Sequence, residues 1–159
     1  MQKLYLDTNV FYFLFFENPK YHDNIVTLFK KIQSGEIKAL TSSTTLQELA
    51  YISLMRLIEY KFEKHPSDVL RENPDVIAQL SPKIEDMFTT IFSFENLEIV
   101  DATQTDVSTI PFLMKKYLLL PQDALQVATM LRENCTRIVS TDSDFDTLPS
   151  IERLDPAKL

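Results

Sequence analysis

The sequence predicts an α/β fold in which a mainly parallel β-sheet is covered by helices on both faces. Short apolar segments alternate with segments whose apolar residues have helical spacing, and this order is typical of parallel sheets. The length of 159 residues suits a single domain. Because 45% of the residues are hydrophobic, the chain can also build a substantial core.

The elements follow from local patterns. Strands are predicted at residues 4–6, 37–41, 97–100, 137–140 and 151–154, and helices at 24–34, 44–62, 83–94, 105–117 and 121–133. Between them, residues 64–81 carry Pro66, Pro74 and many charges, which favours short helices joined by exposed turns. We therefore expect one domain over residues 1–159, with a helical arm or cap at about 51–94.

Four acidic residues far apart in the sequence each stand where a strand ends or a helix begins: Asp7, Glu48, Asp123 and Asp142. In open parallel sheets, functional groups gather beyond the carboxyl ends of the strands, where Asp7 and Asp142 are expected. Two unit charges about 4 Å apart repel by about 4 kcal/mol at an effective dielectric constant of about 20. If these acids converge, they require protons or a divalent cation.

Three of these acids also have a purely structural interpretation. Asp7 can cap the helix that begins near Val10, and Asp123 suits the first turn of the helix that starts at Pro121. Glu48 lies three residues after Thr45, which matches a capping box. The local patterns leave both interpretations open, and only spatial convergence separates them.

Several other chemistries are excluded or poorly supported. Asp142, Asp144 and Asp146 alternate, but an EF-hand needs Gly and Glu where this chain has Thr147 and Arg153. The chain has one glycine, Gly35, which excludes glycine-rich phosphate loops. His22 and His65 are isolated and resemble surface histidines. Cys135 is the single cysteine, so it forms no intrachain disulfide and is expected on a buried helix face.

The net charge of −7 and the pI of about 4.8 argue against a nucleic-acid-binding protein, whose phosphate contacts come from Lys and Arg. However, the candidate site is expected to hold five of the acids, so the rest of the chain is closer to neutrality. They are Asp7, Glu48, Asp123, Asp142 and Asp144. A set of scattered basic residues is a candidate for guiding a phosphate backbone, although each also suits an ordinary solvated surface: Arg56, Lys61, Lys64, Lys115 and Lys116.

No segment is long and apolar enough to cross a membrane, since the longest apolar run spans only residues 10–16. The first residues lead directly into a strand and do not resemble a secretory signal. We therefore expect a soluble, cytoplasmic protein without a membrane partner. The aromatic residues of the 10–16 run favour a place in the core, with a contact in a homodimer as the alternative.

Taken in order along the chain, the four acidic segments resemble the PIN-domain nucleases, and in particular the VapC-type toxin ribonucleases. The residues that carry the resemblance are Asp7 in Leu-Asp-Thr-Asn, Glu48 in Leu-Gln-Glu-Leu, Asp123 in Gln-Asp-Ala and Asp142 in Thr-Asp-Ser-Asp-Phe. The resemblance implies a three-layer α/β/α sandwich and Mg²⁺ or Mn²⁺ bound by these four acids, with Asp144 assisting. It also implies hydrolysis of RNA and an antitoxin partner.

The residue types agree with that chemistry, because ligand sets made only of oxygen select hard cations such as Mg²⁺ and Mn²⁺. Cations of this kind promote in-line hydrolysis of phosphodiesters. The alternative is a noncatalytic PIN-like interaction module, in which the same acids are helix caps. A phosphoacceptor domain of receiver type is less favoured, because no convincing pair of a phosphorylatable Asp and a nearby Lys is present.

Overall fold

The central sheet has five strands, and every pair of neighbouring strands is parallel. The computed structural model describes residues 3–159, in which the strands are β1 (Leu4–Leu6), β2 (Ala39–Ser42), β3 (Leu97–Val100), β4 (Arg137–Val139) and β5 (Glu152–Leu154). Their order across the sheet is β3-β2-β1-β4-β5. The central strand β1 and its neighbour β4 therefore end side by side at the carboxyl edge of the sheet.

Seven α-helices in the described chain surround the sheet. They are α1 (Thr8–Phe15), α2 (His22–Gln33), α3 (Ser43–Phe62), α4 (Pro66–Glu72), α5 (Val76–Phe92), α6 (Gln104–Tyr117) and α7 (Pro121–Arg132). Short 3-10 turns at Ser143–Thr147 and Pro156–Lys158 follow β4 and β5.

The helices form two layers because side chains alternate between the two faces of a strand. Leu4 and Leu6 belong to an apolar cluster with residues of α1, α2, α3 and α5. Tyr5, between them, belongs to a second cluster with residues of α6 and α7. The predicted α/β/α sandwich with a parallel central sheet is thus confirmed.

The helix predicted to begin at residue 83 in fact begins at Val76 and passes through Pro82. Proline normally breaks a helix because it cannot donate to the carbonyl four residues earlier. Here that carbonyl, on Ala78, instead accepts a hydrogen bond from the Ser81 hydroxyl at 3.1 Å. The helix also continues because apolar residues both before and after the proline are buried.

Cys135 is buried as predicted, with 1% of its surface exposed, but its predicted place in a helix is wrong. Helix α7 ends at Arg132, and Asn134 has a positive φ of 53°. This left-handed turn directs the chain from α7 into β4, so Cys135 lies between the two elements.

Helices α3, α4 and α5 share a small apolar cluster formed by Ile58, Val69, Val76 and Leu80. This cluster is separate from the two that flank the sheet, which supports the expected arm at about 51–94. The single-domain organisation with such an arm remains a prediction. Among residues 3–159, no helix combines the length and the apolarity needed to cross a bilayer.

Candidate active site

The candidate site lies at the carboxyl ends of β1 and β4. The backbone N–H of Asp7 donates to the Val139 carbonyl at 3.2 Å, so the end of β1 is hydrogen-bonded to the end of β4. Asp7 then caps helix α1, where its side chain accepts from the Thr8 N–H. The capping interpretation of Asp7 is therefore correct, and the capping residue also faces the site.

The Asp7 carboxylate is buried and held by four donors. One oxygen accepts from the Thr8 N–H at 2.6 Å and from Gln126 Nε2 at 3.1 Å. The other accepts from Asn9 Nδ2 at 2.6 Å and from Ser140 Oγ at 2.5 Å. Burial raises the pKa of Asp7 despite these hydrogen bonds, and the nearby charge of Glu48 adds to the effect. The side chain is fixed in one orientation.

Glu48 does not act in a capping box, so that interpretation was wrong. Helix α3 begins earlier than predicted, and its cap is Ser42, whose side chain accepts from the Thr45 N–H. Glu48 therefore lies in the second turn, where its carboxylate accepts from the Thr8 hydroxyl at 2.5 Å. Gln122 Nε2 approaches the same oxygen at 3.5 Å. Glu48 is turned toward α1 and α7.

Asp123, Asp142 and Asp144 form the tightest acidic group of the described residues. One carboxylate oxygen from each lies within 4.8 Å of the others. Asp123 is in the first turn of α7, as predicted, and Asp142 caps the following 3-10 turn by accepting from the Asp144 N–H.

The electrostatic consequence is clearest at Asp123, whose pKa is raised to about 7. Burial is the largest cause, followed by repulsion from Asp142, Asp7, Glu48 and Asp144 in that order. All five predicted acids are thus close enough to influence one carboxyl group. A proton or a cation would relieve this repulsion.

A cleft of about 760 Å³ brings four of the acids to one surface. Asp7, Glu48, Asp123 and Asp142 all line it, and Asp144 is outside its lining. Of the basic residues considered from the sequence, Arg56 alone lines this cleft within the described chain. His65 also lines it and caps α4 by accepting from the Ser67 N–H.

Two residues of the site were missed in the sequence. Gln126 is 1% exposed and lies three residues after Asp123, which places both on one face of α7. A polar residue among the apolar residues of that helix was the available signal. Ser140, the first residue after β4, is fully buried and donates to Asp7.

The donor set fits a hard divalent cation. All five acids offer oxygen, and no cysteine is near, which suits Mg²⁺ or Mn²⁺. In addition, Gln126 Oε1 is buried in the lining of the cleft without a hydrogen-bond partner among residues 3–159. Such an atom normally has a partner, and a water or an ion in the cleft would supply one.

Comparison with known families decides the relationship. The family model described as the PIN domain matches residues 4–150, which is nearly the whole chain. This chain belongs to the PIN domain family. The resemblance predicted from the four acidic segments is thereby confirmed.

Individual relatives of this PIN domain are distant. Ribonuclease VapC2 of Methanocaldococcus jannaschii is 24% identical over 131 residues, covering 80% of this chain and 79% of the relative. The structure of VapBC2 from Rickettsia felis bound to a promoter DNA fragment matches with a TM-score of 0.60 and 17% identity, covering 96% of this chain and 98% of the other.

A second solved structure with a similar fold is that of VapC20 of Mycobacterium tuberculosis, described as a toxin that cleaves the sarcin-ricin loop. It matches with a TM-score of 0.60 and 13% identity, covering 94% of this chain and 97% of that chain. These structural likenesses extend over the full fold, so the chain has the whole architecture of a PIN domain.

Proposed function

We propose that this PIN domain is a metal-dependent endoribonuclease that acts as the toxin of a toxin–antitoxin pair. The observation that carries the proposal is the convergence of Asp7, Glu48, Asp123 and Asp142 on one cleft, with the pKa of Asp123 raised to about 7. A protein seldom retains such repulsion unless a ligand offsets it. The name of the relative Ribonuclease VapC2 supports the same activity.

We assign metal binding to Asp7, Glu48, Asp123 and Asp142, with Asp144 assisting from the exposed side. Asp7 is suited to this role because four donors fix its orientation. Thr8 orients Glu48 in the same way. Hydrogen bonds that orient ligands commonly contribute tenfold or more to metal affinity. The all-oxygen donor set favours Mg²⁺ or Mn²⁺.

The proposed reaction is hydrolysis of an RNA phosphodiester. When bound, the cation supplies Lewis acidity, which favours deprotonation of a water nucleophile and offsets charge on the phosphoryl oxygens. The water oxygen forms a bond to phosphorus as the bond from phosphorus to the 3′ oxygen breaks, and that oxygen takes up a proton. The products are a 5′-phosphate and a 3′-hydroxyl. The chain's own acids position the nucleophile in line with the leaving oxygen.

The proposed partners are an RNA substrate, an antitoxin protein and a second copy of the chain. Support for the antitoxin comes from two structural neighbours, the VapBC2 structure from Rickettsia felis and a structure described as a toxin–antitoxin complex from Klebsiella pneumoniae. The homodimer is supported by exposed apolar residues, among them Phe92 on α5, Phe112 on α6 and Leu118 directly after α6.

The test is cleavage of labelled single-stranded RNA by the purified chain in Mn²⁺ or Mg²⁺. We expect fragments that carry a 5′-phosphate, and we expect a chelator to stop the reaction. A noncatalytic interaction module instead predicts intact RNA under every metal condition. Cleavage that continues unchanged in excess chelator would contradict the metal-dependent mechanism.

A further inference from the structure

We propose that Arg56 and Tyr60 on α3 bind the RNA strand a few nucleotides from the scissile position, with Arg56 contacting one backbone phosphate and Tyr60 stacking on one base. This inference rests on the proposed ribonuclease function and deepens it. It assigns a substrate-positioning role to two residues outside the acidic group.

Arg56 and Tyr60 lie on helix α3, along a row that begins at Glu48. Glu48, Ile52, Arg56 and Tyr60 are spaced by four residues and so form one row along the helix surface. At a rise of about 1.5 Å per residue, Arg56 lies about 12 Å along the helix axis from Glu48. A strand that follows this row from the acids reaches Arg56 after a few nucleotides, since stacked nucleotides rise about 3.4 Å each.

The acidic cleft adjoins a second groove on the protein surface. Arg56 and Tyr12 line the acidic cleft and also a neighbouring groove of about 640 Å³. Tyr60, Lys83 and Phe16 line this neighbouring groove. The two depressions therefore meet at Arg56 and Tyr12, and together they form a continuous track that leads away from the acids.

Both basic and aromatic residues line this track. Sites for single-stranded nucleic acids combine basic residues along the backbone with aromatic rings on which bases stack. Tyr60 has 81% of its surface exposed, so its ring is available to a base. Tyr12 stacks on Phe16 with ring centroids 4.7 Å apart, which adds a second aromatic surface. Beyond the acidic end, Arg56 and Lys83 supply positive charge, of which Glu17 in the same groove offsets a part.

Arg56 is available to a phosphate even though it has a partner. Its guanidinium donates to Glu59 at 3.1 Å, and the two side chains are 51% and 58% exposed. Exposed pairs of this kind contribute little to stability. A phosphate, which matches the guanidinium with two parallel hydrogen bonds, can therefore replace Glu59.

The main test compares Arg56→Gln with Arg71→Gln in Mn²⁺-dependent cleavage of a short fluorescein-labelled single-stranded RNA. Arg71 is a matched control because it is exposed and pairs with Asp68 within one helix, three residues away. We expect Arg56→Gln to raise KM about tenfold, as for loss of one charge-assisted hydrogen bond, with kcat changed by less than about threefold. Arg71→Gln should leave both constants unchanged.

Two further measurements separate a phosphate contact from a structural role. The slope of log KM against log salt should fall by about 0.7 in Arg56→Gln, as expected for loss of one phosphate contact on a single strand. Glu59→Gln should lower KM, because it frees Arg56 from its partner.

Stacking of a base on Tyr60 is tested by two variants. Tyr60→Ala should raise KM about fivefold or more, whereas Tyr60→Phe should retain wild-type KM.

The outcomes distinguish this inference from the proposed function. If the chain cuts RNA and Arg56→Gln behaves like Arg71→Gln, the track is wrong while the nuclease stands. If the track is instead occupied by a protein partner with basic residues, Arg56→Gln again behaves like Arg71→Gln. In that case Arg56 would repel the partner and would contribute nothing to RNA affinity. If no RNA is cut, but RNA binding measured by fluorescence anisotropy still depends on Arg56 and Tyr60, the nuclease is wrong and the track stands.

Discussion

The Asp123→Asn variant is expected to cut RNA at least about a hundredfold more slowly than the wild-type chain, while its metal-free form unfolds at a higher temperature. Activity falls because a carboxylate that helps to hold the cation is lost, and removal of one group that stabilises transition-state charge typically costs about 10²–10³-fold. Stability rises because the substitution removes the most strongly repelled charge of the cleft.

The gain in stability should depend on pH in a defined direction. The pKa of Asp123 is raised from 3.8 to about 7, so the folded chain binds more protons than the unfolded chain between these values. The contribution of Asp123 to the free energy of unfolding of the metal-free wild type therefore falls as pH rises from about 4 to about 7. Asp123→Asn removes this contribution, so its advantage is largest above pH 7 and disappears below pH 4.

Thermal unfolding of both proteins in chelator, across this pH range, measures the effect. Asp68→Asn is the control, because Asp68 is an exposed acid on α4 that pairs with Arg71 outside the cleft. A metal-free Asp123→Asn variant that is less stable than wild type at pH 8 would contradict the account of a repulsive cleft.

The Asp7→Asn variant should lose activity by a similar factor and should also lose stability, in contrast to Asp123→Asn. Asp7 accepts four hydrogen bonds, whereas an asparagine offers one acceptor oxygen and an NH₂ group. If that NH₂ group replaces one oxygen of Asp7, it faces the donors on Thr8 and Gln126. If it replaces the other oxygen, it faces the donor on Asn9. A buried donor without an acceptor costs about 1–3 kcal/mol.

For a chain of this size, we expect the melting temperature of Asp7→Asn to fall by roughly 2–4 °C for each kcal/mol lost. Circular dichroism of the variant at low temperature establishes that the loss of cleavage occurs in a folded protein. Wild-type cleavage rates in a folded Asp7→Asn protein would remove Asp7 from the site.

The two acids at the strand ends were predictable because parallel strands place their carboxyl ends on one edge of the sheet. Asp7 follows directly after the apolar segment of β1, Asp142 comes three residues after Val139 at the end of β4, and β1 and β4 are neighbours in the sheet. The Pro121 signal likewise placed Asp123 correctly in the first turn of α7. For these residues, local pattern and topology were sufficient.

Glu48 shows where local pattern fails. The spacing from Thr45 indicates a capping box, but Ser42 caps α3, so Glu48 is one turn further in and reaches Thr8 instead. That contact joins residues 40 positions apart, which no local pattern can predict. The course of α5 through Pro82 was missed for a different, local reason, because the Ser81 hydroxyl compensates for the missing backbone donor.

The proposed activity requires the acids of the cleft to bind a common divalent cation. Anomalous X-ray diffraction from a crystal of the chain grown with Mn²⁺ tests this most directly. We expect an anomalous peak within coordinating distance of carboxylate oxygens from Asp7, Asp123 and Asp142, and no such peak in crystals of Asp123→Asn grown at the same Mn²⁺ concentration. A cleft without a peak in the wild-type chain, at a concentration that supports cleavage, would contradict the account.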